Sequence, residues 1–208
     1  MAARLPTGID VLDRKIDGGI PAGSVLVYES PPASQGELLL YEFAAPRATL
    51  YVTTDRTESA VADAFTSAGV RVQQPTIRFL QTDAPLDNAR RLFRNVRDTA
   101  TFVVDPLDVL ERTERGRYET FLSELKNHMQ NTGSVAVLHG LRGESLPELR
   151  DVTLHMADVL FRLDTRIKGS EIENTLAVPK FRGGRALAET VKLDLGDRVT
   201  IDTSRDIA

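Results

Sequence analysis

Cysteine is absent from the 208-residue chain. That excludes disulfides, thiolate chemistry and Cys-ligated zinc. Histidine is scarce: His128, His139 and His155 are scattered, and their spacing is not that of metal ligands. They read as ordinary core or surface residues. Lysine is also rare, with five against a large majority of arginines, a bias that suits a GC-rich genome and decides little about function. No apolar run approaches the roughly 20 residues that span a bilayer. The opening stretch, MAARLPTGIDVLD, lacks the apolar core of a signal peptide, so the expectation is a cytoplasmic protein without membrane contact. A net charge of −4 provides no general basic field, which makes nucleic acid an unsuitable partner.

What is present describes an ordinary globular chain, with 41% hydrophobic and 27% charged residues. Its length suits one well-buried domain over residues 1–208. Strand and helix patterns alternate. Strands are expected at 24–30, 49–55, 76–83, 101–105 and 134–140. Helices are expected at 35–45, 57–68, 86–99, 117–131 and 146–157. Asp55 and Glu58 are placed to form a capping box on the second helix. The period then changes to two hairpins, one turning near Lys168-Gly169 and one at Gly196-Asp197. Strand-helix repetition with short connections predicts an α/β fold: a mainly parallel sheet, helices on both faces and C-terminal β-hairpins.

The segment LPTGIDVLDRKIDGGIPAGSVLVYES, ahead of SPPASQGELLLYEF, carries the most specific signal. Leu5-Pro6-Thr7-Gly8-Ile9-Asp10, Leu12-Asp13, Gly18-Gly19-Ile20-Pro21 and Gly23-Ser24 resemble, in order and spacing, the opening of RecA-superfamily ATPases of the KaiC-like branch of archaea and bacteria. The resemblance runs over nearly the whole chain and implies a RecA-like P-loop NTPase fold. It also implies that a phosphate loop follows the first strand.

Laid over that family pattern, Ser30 takes the first glycine position, and Ala33 and Gln35 take two further ones. Gly36 stands at the lysine, and Glu37 at the Mg²⁺-binding Ser or Thr. Loop glycines let backbone N–H groups approach phosphate, which Ala and Gln resist. A lost charged contact costs roughly 2–5 kcal/mol, about 30-fold to several thousand-fold in affinity. Glu37 adds a carboxylate where polyphosphate would lie. The expectation is therefore no ATP or Mg²⁺ cofactor and a degenerate Walker A motif. Backbone N–H groups at the helix start remain as an alternative anion site.

Other landmarks of the resemblance carry similar changes. Where the family has a carboxylate pair after the second strand, this chain has Asp55 and Arg56. Asp55 is a vestigial candidate for a general base, with helix capping as the alternative. TFVVD looks like a Walker B strand ending in Asp105, a vestigial metal position with no metal expected. Lys180 and Arg182 match a K-x-R pair that in KaiC-like rings reaches a neighbour's nucleotide; two solvated basic residues beside a turn are the alternative. Similarity to the short KaiC- and GvpD-type proteins of archaea implies a non-hydrolysing regulatory or protein-interaction module, a pseudo-ATPase with a protein partner or self-association. Two other functions stay open. One is an active ATPase with an atypical loop, using Asp55, Asp105, Lys180 and Arg182, with Arg56 for the missing lysine. The other is a recombinase-paralogue DNA accessory, against which stand the net charge and the absence of a basic Gly-rich loop in LRGESLPEL.

Overall fold

The computed structural model of the chain describes residues 3–69, 75–196 and 199–201. The chain opens with a short ribbon of β1 (Arg4–Leu5) and β2 (Ile20–Pro21), which bracket α1 (Asp10–Lys15). The α/β region follows as β3 (Val25–Ser30), α2 (Glu37–Ala44), β4 (Thr49–Thr53), α3 (Glu58–Ser67), β5 (Thr76–Phe79) and α4 (Pro85–Phe93). It continues with β6 (Thr101–Asp105), α5 (Asp108–Glu111), α6 (Arg115–Thr132), β7 (Val135–Leu141) and α7 (Arg150–Met156). The described strands then continue as β8 (Val159–Lys168), β9 (Glu171–Phe181), β10 (Val191–Leu195) and β11 (Val199–Ile201).

All but β1 and β2 form one sheet of order β11-β10-β9-β8-β3-β7-β6-β4-β5. The run from β8 to β5 is parallel, and β9 to β11 extend it antiparallel. Residues in β3 and β6 are buried throughout. This agrees with the apolar runs Val25–Tyr28 and Phe102–Val104, since a parallel strand covered on both faces has no solvent side to show.

The pleat sends successive side chains to opposite faces. Leu26 and Tyr28 of β3, Tyr51 of β4, Val103 of β6 and Val135 and Val137 of β7 enter the core beneath α2 and α3. Val25, Val27, Val52, Phe102, Val104, Ala136 and Leu138 enter the core beneath α4 and α6. The same alternation carried to the strand ends places Ser30, Asp105 and His139 on the α2 face.

The second helix starts differently from expectation. Thr57, not Asp55, caps α3, its hydroxyl accepting from the Ala60 N–H at 3.2 Å. Glu58 turns away and accepts from the Phe79 N–H of β5 at 3.0 Å. Threonine is the residue immediately before the first helical turn, so it reaches the free N–H groups without a detour. Helix α4 ends at Phe93, six residues before the expected Thr99, which adopts a φ of 55° that no right-handed helix tolerates. Both C-terminal hairpins form, the first around Gly169 with a φ of 61°. Asp197 of the second turn lies outside the described residues. Among the described residues, no helix is long and apolar enough to cross a membrane.

Candidate functional site

Three parallel strands end side by side and bring three polar residues into line. Tyr28 is the register partner of His139, and Val103 of Val137, so Ser30 and Asp105, each two residues further along its strand on the same face, flank His139 at the strand ends. His139 Nδ1 lies 2.6 Å from Asp105 Oδ1 and Nε2 lies 2.8 Å from Ser30 Oγ. Ser30 is 2% exposed, Asp105 4% and His139 5%. The Tyr28 ring stacks on the imidazole, with centroids 5.2 Å apart and planes 20° from parallel.

The second Asp105 oxygen is also committed. It accepts from the Tyr51 hydroxyl in a short hydrogen bond and from the Arg56 guanidinium at 2.8 Å. Arg56 reaches Tyr41 Oη as well, at 3.2 Å. Burial works to raise the Asp105 pKa. The hydrogen bonds from His139 and Tyr51 and the Arg56 charge outweigh it, and the pKa falls from 3.8 to about 2. Asp55 behaves oppositely: partial burial and the nearby Asp105 charge raise it.

The segment between β3 and α2 lies closed over this cluster. The Tyr28 hydroxyl donates to the Gly36 carbonyl at 2.9 Å, Ser34 Oγ donates to the Pro31 carbonyl at 2.7 Å, and Gly36 N–H donates to Ser34 Oγ at 3.3 Å. A Cβ placed on Gly36 would lie 2.5 Å from Ser30 Oγ, 2.7 Å from Ser30 Cβ and 3.0 Å from Tyr28 Oη. Gly36 has a right-handed φ of −58° and ψ of −28°, so close approach and not a left-handed backbone explains glycine here. No residue from 31 to 36 has a positive φ. Pro31 and Pro32 have no N–H to offer an anion. Ala33, Gln35 and Glu37 are exposed.

The structure therefore brings Ser30, Gly36 and Asp105 together, through His139. Asp55 sits at the solvent-facing rim of this cluster, near enough for the Asp105 charge to act on it but not among its hydrogen-bonded members. Lys180 and Arg182 lie near the start of β3, at the opposite end of the sheet from Ser30. Lys180 Nζ donates to the carbonyls of Leu154 and His155 at 2.7 and 2.9 Å, and Arg182 donates to that of His155 at 3.2 Å. Both thus satisfy free carbonyls at the end of α7, where positive charge is favoured. Burial and the Arg182 charge lower the Lys180 pKa.

Sequence reasoning missed His139 as a site residue, having set all three histidines aside. The usable signal was its place at the end of a buried strand, in phase with Val135 and Val137. Tyr28, Tyr51 and Arg150 were missed too. On the far face, Arg150 is 2% exposed and donates through Nε to both Glu111 oxygens at 2.9 Å and through NH1 to the Leu141 carbonyl at 3.0 Å. It also lies 3.5 Å from Glu29, which is held in turn by Arg162 at 2.8 Å. The guanidinium lies against Gly140, where an added Cβ would come within 2.6 Å of NH1.

Among solved structures, the chain is similar to a KaiC-like protein from the hyperthermophilic archaeon Pyrococcus horikoshii. The TM-score is 0.78 at 17% identity, over 97% of this chain and 100% of that one. At that identity the likeness is one of fold, and the fold is the RecA-like α/β fold of KaiC-like proteins. No curated protein matches the chain. A family model matches residues 4–208, nearly the full length, and the chain belongs to that family, described as "Family of unknown function (DUF7125)".

Proposed function

We propose that this protein is a non-hydrolysing member of the KaiC-like group, a cytoplasmic pseudo-ATPase that serves as a regulatory or interaction module. The observation that carries this reading is the Arg56–Asp105 ion pair at 2.8 Å. In an active relative the aspartate at this place helps to orient Mg²⁺. Here a guanidinium is paired with that carboxylate. The neighbouring geometry argues the same way. Gly36 at the lysine position has no room for a side chain beside Ser30, two prolines remove loop amides, and Glu37 brings negative charge to the helix start. These residues do not suit a Mg²⁺–nucleotide.

An interaction role draws support from the first C-terminal hairpin. Ile167 and Ile172 face each other across the ladder near its tip and are 78% and 66% exposed. Apolar side chains left uncovered in this way favour contact with another protein. Isothermal titration with ATP, ADP and GTP in the presence of Mg²⁺ tests the central claim. The expected result is no binding at micromolar concentration. A clear micromolar isotherm would restore the active-ATPase reading, with Arg56 as the substitute for the missing lysine.

A further inference from the structure

We propose that Ser30 is a base-activated nucleophile that accepts an acyl group from an ester or thioester, with His139 as the general base and Asp105 as its positioning residue. The direction of each hydrogen bond follows from the donor inventory. An ionised carboxylate only accepts, so the Nδ1 facing Asp105 at 2.6 Å carries the imidazole proton. Nε2 is then a lone pair, and the Ser30 hydroxyl 2.8 Å away donates to it. This tautomer is assigned from the network. A serine hydroxyl bonded to an imidazole whose other nitrogen is held by a carboxylate is the arrangement that makes serine nucleophilic, and it is recognised by geometry and roles, not by fold.

The surroundings fix the relay in place. Arg56 and Tyr51 hold the far Asp105 oxygen, so the carboxylate cannot turn away from His139. Tyr28 stacks on the imidazole and fixes its plane. A serine that only needed a partner for burial would be satisfied by any carbonyl. This one faces a base oriented from the strands on both sides, by Tyr28 and by Asp105.

The acyl transfer balances as follows. Ser30 Oγ bonds to the carbonyl carbon and its proton passes to His139 Nε2. The bond from that carbon to the alkoxide or thiolate then breaks, and the leaving group takes the proton from Nε2. Water attacks the acyl-serine by the same route, releasing the carboxylic acid and restoring the hydroxyl. Ser30 is covered by Gly36, and the cover is tied down by the Tyr28 hydroxyl on the Gly36 carbonyl. An electrophile thus reaches Oγ when the turn at residues 31–36 lifts, and loss of the Tyr28 hydroxyl should speed the reaction.

The test uses the full chain and a small fluorophosphonate, read by intact mass and peptide mapping. Oγ bonds to phosphorus, fluoride leaves with its electron pair, and His139 takes the proton. The expected result is one adduct, on Ser30, in the folded protein and not in the denatured protein or in Ser30→Ala. Tyr28→Phe should label faster. His139→Gln, which keeps a polar group but loses the base, should label about 100-fold more slowly or less. Failure of folded wild type and folded Tyr28→Phe to label overturns the proposal, whatever the state of the other variants. Equal labelling of Ser30 in folded His139→Gln also overturns it.

Discussion

Replacing Gly36 with alanine tests the closed loop directly. At φ −58° an alanine is conformationally at ease, and in open space the change would stabilise by about 0.4–1 kcal/mol through the unfolded chain. Here the new methyl meets Ser30 Oγ at 2.5 Å and Ser30 Cβ at 2.7 Å, distances at which something must move. Overpacking of this kind costs about 1–3 kcal/mol. The expected outcome for Gly36→Ala is a net loss of about 1–2 kcal/mol. Ser30→Gly removes both obstructing atoms, at its own cost of the bond to His139. In that background Gly36→Ala should cost little, leaving the 3.0 Å contact with Tyr28 Oη as the residual. Urea unfolding of the four proteins gives the coupling energy, which should be about 1–2 kcal/mol and favourable to the pair. Additive effects, or a single Gly36→Ala variant that gains stability, would refute the close approach. The same logic bears on repair. Gly36→Lys alone should not bind ATP. A chain carrying Ser30→Gly, Ala33→Gly, Gln35→Gly, Gly36→Lys and Glu37→Thr recovers space and charge but still carries Arg56 on Asp105.

Three other outcomes follow from the geometry. The depressed Asp105 pKa contributes stability above about pH 4, lost as the pH falls toward 2, worth roughly 2 kcal/mol. Asp13, Asp55 and Glu111 are shifted upward and contribute with the opposite sign, so the measurement is the difference in acid unfolding between wild type and Asp105→Asn, whose profile should be flatter across that window. Arg150→Met leaves Glu111 buried without its cation and should cost about 3–5 kcal/mol by thermal or urea unfolding; adding Glu111→Gln should recover part of it, and no recovery would contradict the assigned pairing. Lys180 and Arg182 are engaged with the end of α7, so light scattering should give the same mass with and without ATP, and assembly only with ATP would contradict this.

The sequence by itself determined the alternation of strands and helices, the parallel core and both terminal hairpins. Those features follow from apolar periodicity and turn residues, which act over a few positions. It also marked Ser30, Gly36 and Asp105 as places of interest, through a specific N-terminal motif and through spacing. Helix ends were less legible. Thr57 and Asp55 are both competent caps, and only the packing of α3 against β5, which draws Glu58 to Phe79, selected one. The relay was decided by tertiary structure alone. Ser30 and His139 are 109 positions apart, and His139 and Asp105 are 34 apart. Its place at the end of an apolar strand sets His139 apart from His128 and His155, which lie in helices, but does not name its partners. Strand order and register set His139 between the other two, and the pleat turned all three toward α2. Arg56, read in sequence as a lost carboxylate, became the partner of Asp105 for the same reason: the strand bearing its turn lies beside β6 in the sheet.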